Sequence, residues 1–79
     1  MAKITKKEID IKFAELSDLA ATKNKQIKGI KRYLPMSHYR HGKLQEFGLY
    51  DYVTKRYTLG NIHSSKAQKI LNEMKVMLS

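Results

Sequence analysis

The sequence predicts a mostly α-helical single domain over residues 1–79, a small bundle of three to four helices at about 6–22, 24–34, 44–58 and 64–78. Three observations predict it. A helix-start signature stands at Thr5-Lys6-Lys7-Glu8, apolar residues recur at steps of three and four through much of the chain, and no Asn-Gly or Asp-Gly hairpin dipeptide interrupts residues 43–59. The chain has no cysteine, so neither a disulfide framework nor a thiolate metal site can support it, and a reducing, intracellular setting is expected.

Thr5-Lys6-Lys7-Glu8 fits a capping box, in which the Thr5 hydroxyl and the Glu8 carboxylate each satisfy a backbone N–H left free at a helix start. Beyond it Ile9, Phe13, Leu16 and Ala20 form one stripe, and the helix either runs to about Thr22 or breaks at Ser17-Asp18. From Asn24 to Leu34, Ile27, Ile30 and Leu34 keep helical spacing, with Lys25, Lys28, Lys31 and Arg32 on a different side. Pro35 is expected to end that helix, leaving MSHYRHG as a loop.

Residues 43–59 divide the signals. Tyr50, Tyr52, Val53, Thr54, Tyr57 and Thr58 favour strand, and 47–59 can be read as a β-hairpin or strand; Asp51 and Lys55 would interrupt its apolar face, which favours the helix. In the last segment Ser64 can cap, and Ala67, Ile70, Leu71, Met74, Met77 and Leu78 form a broad apolar face. The longest apolar runs are a few residues, too short for a transmembrane helix, and the first residues lack the apolar region of a targeting peptide.

The formal charge is +9, from sixteen Lys and Arg against seven Asp and Glu. Seven of those cations and none of the acids fall between Lys23 and Lys43, so one stretch carries most of the excess. Such an imbalance favours polyanions, because a surface that needed only solubility would mix signs. The expected function is therefore non-enzymatic nucleic-acid binding. Lys25, Lys28, Lys31, Arg32, Arg40 and Lys43 would meet phosphates, Tyr39 would offer an exposed ring, and Asn24, Gln26 and Ser37 could reach base edges.

Catalytic and metal chemistry have thin support. His38 and His41 lie three apart with His63 distant, but no carboxylate accompanies them and Arg40 would repel an ion. Ser37 beside His38 has no orienting acid, and the four glycines form no phosphate-binding loop, so no cofactor is implied. The alternative expectation is a small protein-interaction module or inhibitor, of the type phages and mobile elements encode, that docks on an acidic protein partner or a nucleic-acid-processing complex, with Met74, Met77 and Leu78 as an adaptable face and a homodimer as a source of extra core.

Overall fold

The computed structural model describes residues 4–26 and 31–79. Its element order is α1 (Lys6–Gln26), β1 (Tyr33–Arg40), β2 (Lys43–Asp51), β3 (Arg56–Asn61) and α2 (Ala67–Met77). The three strands form an antiparallel meander in the order β1-β2-β3. This is an α+β fold, and it overturns the expected helical bundle. Among the described residues the separate helix predicted at 24–34 is not found: Asn24 to Gln26 close α1, and Tyr33 onwards is strand. The helix predicted at 44–58 is replaced by β2, a turn and the start of β3, which is the strand alternative for 47–59. Ile27, Lys28 and Ile30 lie outside the described residues.

α1 begins where the sequence indicates. The Thr5 hydroxyl accepts a hydrogen bond from the Glu8 amide at 3.1 Å, and it donates to the Glu8 carboxylate. The box therefore closes side chain to side chain, where a carboxylate on a backbone N–H was expected. The helix passes Ser17-Asp18 without a break and buries Ile9, Phe13 and Ala20. Along α2, Ala67, Leu71, Met74 and Leu78 are buried. Met74 and Leu78 thus belong to the core, not to a docking face. Ser64 acts one turn ahead of α2, where its hydroxyl accepts the Lys66 amide.

The sheet depends on two turns. His41 (φ 53°) and Gly42 (φ 74°) both take the left-handed backbone required by the two-residue turn that matches strand twist, joining Arg40 to Lys43. Pro35 sits inside β1, where it holds Leu34 extended, and a missing N–H is tolerable because β1 is an edge strand. Between His38 and Tyr39 the register shifts: His38 pairs with Glu46 and Tyr39 with Leu44, leaving Gln45 as a bulge. The Gln45 carbonyl then accepts the Ile62 amide at 3.0 Å, which ties the link into α2 to the sheet.

Strand alternation sorts the sheet into two faces. Tyr33, Pro35 and Ser37 stand beside Asp51, Leu49 and Phe47, and these beside Arg56, Thr58 and Gly60. Both helices cover that face. Phe13 meets Phe47 with ring centroids 5.9 Å apart, the Tyr33 hydroxyl donates to the Met77 carbonyl, and Gly60 leaves room for Ile70. The opposite face is not covered by either helix, and none of its residues belongs to the core cluster.

Gly48 lies at the centre of that open face, and a Cβ there would collide with the Thr58 carbonyl oxygen. Gly48→Ala is therefore expected to push β3 away from β2. The expected loss is about 2 kcal/mol, in the range of core overpacking, and a urea titration would measure it. A variant as stable as the parent would contradict this close approach.

Candidate nucleic-acid interface

The residues read from the sequence as one cationic surface are divided by the fold. Lys25 lies in the last turn of α1, and Lys31 and Arg32 lead into β1; Tyr39, Arg40 and Lys43 surround the β1–β2 turn at the other end of the sheet. Eight strand residues span about 25 Å, so these are two groups and not one recognition helix. Lys28 lies outside the described residues. Tyr39 is 53% exposed, on the helix-side face next to buried Leu44.

Arg32 is engaged within the fold. Its Nε lies 3.2 Å from Asp51 Oδ1 and its Nη2 3.1 Å from Oδ2, and its guanidinium carbon stands 5.0 Å from the Tyr33 ring centroid. Asp51 is only 3% exposed and also accepts the Val53 and Thr54 amides, which folds the chain from β2 into the turn before β3. Burial pushes the Asp51 carboxyl up, but the hydrogen bonds from Arg32, Val53 and Thr54 outweigh it and hold the group below the usual carboxylate range.

Asn24 is likewise structural. Its amide donates to the Tyr33 carbonyl at 2.8 Å, while its oxygen accepts the Arg32 and Tyr33 amides. It joins the end of α1 to the start of β1, and it is not free for a base edge. Asn24→Ala removes three partly buried hydrogen bonds and is expected to cost about 2 kcal/mol, read as a lower thermal midpoint. An unchanged midpoint would show that this clasp contributes nothing.

The cations are better understood by element than by sequence run. Four of the seven acids, Glu8, Asp10, Glu15 and Asp18, lie on α1 and offset its lysines. From Lys31 to Lys66 seven cations face two acids, and one of these, Asp51, is paired with Arg32. The positive excess therefore belongs to the sheet and its connections.

The open face supplies what the sequence reading missed. Leu34, Tyr50 and Tyr57 form one cross-strand row, Met36, Gly48 and Leu59 the next, and His38, Glu46 and Asn61 the third. Tyr57 is 66% exposed and Leu59 53% exposed. Tyr52 packs edge-on against Tyr50 with centroids 4.9 Å apart, so the aromatic row is braced. A shallow depression of about 190 Å³ is lined by Met36, Ser37, His38, Glu46 and Leu59. Arg40 and Lys43 stand beyond one end of this face and Lys55 in the turn at the other. The signal that could have located it is the His-Gly dipeptide, which makes a hairpin of the two flanking segments.

The α+β class, two helices on one face of a three-stranded meander, is as far as fold alone identifies the chain. No family model, curated protein or solved structure matches it. Among the described residues no helix is long and apolar enough to cross a membrane, and no group of three or more His, Cys, Asp or Glu could hold a metal ion.

Proposed function

We propose that the protein is a non-enzymatic nucleic-acid-binding protein that receives a single strand across the open face of its sheet. The observation that carries this reading is the uncovered Leu34–Tyr50–Tyr57 row, with cations beyond both ends. Tyrosine rings accept any base by stacking, each worth about 1–3 kcal/mol, while flanking lysine and arginine follow the phosphates. Arg40, Lys43 and Lys55 take that second role; Arg32, held by Asp51, supports the sheet instead. Asn61 and His38 add hydrogen-bonding groups in the third row of the same face. The cysteine-free composition suits a reducing, intracellular compartment.

A titration of oligonucleotides at two salt concentrations tests the reading. Single strands should bind more tightly than duplex of equal length, and log affinity should fall with log salt by about 0.7 per phosphate contact. Equal affinity for heparin, or binding that ignored salt, would overturn it. Leu34, Met36, Tyr57 and Leu59 could also pair with a second copy, but each copy brings +9. A dimer that bound no oligonucleotide would assign the face to self-association.

A further inference from the structure

A second surface differs in shape and chemistry from the open face. A groove of about 620 Å³ runs between β3 and α2, lined by Arg56, Lys69, Val76 and Met77 together with Lys55 and Tyr57, the two residues it shares with the open face. The geometry points to an extended, acidic segment of a partner protein as its occupant, added along β3 as a fourth strand.

The edge itself is the first argument. Among the described residues β3 pairs only with β2, so its outer N–H and C=O groups have no strand partner there. Exposed edges are normally blunted by proline, a bulge or an inward charge. The other edge, β1, carries Pro35; β3 reads Arg-Tyr-Thr-Leu-Gly-Asn and has neither proline nor bulge, and its one charge on the helix-side face, Arg56, stands at its first residue and leaves Tyr57 to Asn61 unblunted. An adding strand takes its affinity from main-chain hydrogen bonds and its specificity from alternate side chains.

The wall of the groove is the second argument. Lys69, Asn72, Glu73 and Val76 recur at helical spacing on one stripe of α2, away from buried Leu71 and Met74. Val76 is 72% exposed and offers an apolar contact to a helix-side side chain of an added strand. α2 runs back along β3, which puts Lys69 towards one end of the groove and Lys55 and Arg56 towards the other. Three cations against the single Glu73 complement an acidic segment. They oppose a second copy of this chain, which would bring the same cations and +9 overall.

Fluorescence anisotropy with a labelled acetyl-Glu-Thr-Val-Thr-Glu-Thr-amide peptide, which sets both acids and the valine on one face of the strand, tests the assignment on the full chain. Two further peptides carry N-methyl groups at either the odd or the even amides. One of the two should lose binding, because only one edge of the peptide can face β3. A version with lysine at the acidic positions should not bind. Val76→Glu and Lys69→Glu should each weaken the acidic peptide by about tenfold while leaving single-strand affinity within about twofold, since an interfacial charge of the wrong sign penalises only its own ligand. Tyr50→Ala should do the reverse, so this assignment and the nucleic-acid reading fail separately. Equal binding by both methylated peptides, indifference to Val76→Glu, or a wild-type dimer that Val76→Glu dissociates would each overturn it.

Discussion

Asp51→Ala is expected to destabilise the fold by about 2 kcal/mol, chiefly through the backbone amides that lose their acceptor, a large share of the stability of so small a domain. The substitution leaves the Arg32 guanidinium without its carboxylate partner and removes the acceptor for the Val53 and Thr54 amides, so both the entry to β1 and the β2–β3 turn lose their fastening. The same group is expected to give acid sensitivity. Its folded pKa lies below its unfolded value, which is about 3.9. The stabilisation is therefore complete above about pH 4 and is lost as pH falls through the lower folded value. Urea midpoints for wild type and Asp51→Ala should converge on acidification through that window. A constant gap between the two would show that Asp51 contributes through packing alone.

Tyr57→Ala combined with Tyr50→Ala should reduce single-strand affinity by about 2–4 kcal/mol, or from about thirtyfold to several hundredfold, on the scale of one stacked base per ring. Tyr57 is exposed, so most of its effect should fall on binding and little on stability. Tyr50 is half-buried against Tyr52, and Tyr50→Phe, which keeps the ring, should retain most of the affinity. Arg40→Glu with Lys43→Glu should instead flatten the salt dependence. Fluorescence quenching and anisotropy of an oligothymidine separate the two effects. Full affinity in the double tyrosine variant, with the fold intact by circular dichroism, would exclude stacking on this row.

The helices were legible because their signals are local. Thr5 and Glu8 lie within one turn, and Ile9, Phe13 and Ala20, like Ala67, Leu71, Met74 and Leu78, repeat at the period of the element they build. The sheet was obscured by three non-local features. The bulge at Gln45 spaces buried Leu44, Phe47 and Leu49 by three and then two, which mixes the helical and strand periods. Asp51, read as interrupting a strand, is buried because Arg32, nineteen residues away, neutralises it. Lys55, the other apparent interruption, stands in the turn with φ 63° and not in a strand.

The candidate site followed the same division. The excess of cations was visible in composition, but its location was not, since Ile27, Ile30 and Leu34 suggested a helix where Leu34 lies in β1. Arg40 and Lys43 remain beside the proposed face. Tyr57, read in the sequence as a residue that favours strand, is among the most exposed apolar side chains. A face of this kind exists only through pairing: Tyr50 and Tyr57 become neighbours because a four-residue turn returns β3 alongside β2.

The most direct measurement is a titration of uniformly ¹⁵N-labelled protein with a short oligothymidine, followed by amide chemical shifts. Shifts should concentrate at Leu34, Met36, Tyr50, Tyr57 and Leu59 and at the Arg40–Lys43 turn, with α1 and the outer stripe of α2 unmoved. Shifts centred on α1, or none at saturating oligonucleotide, would contradict the sheet face as the binding surface.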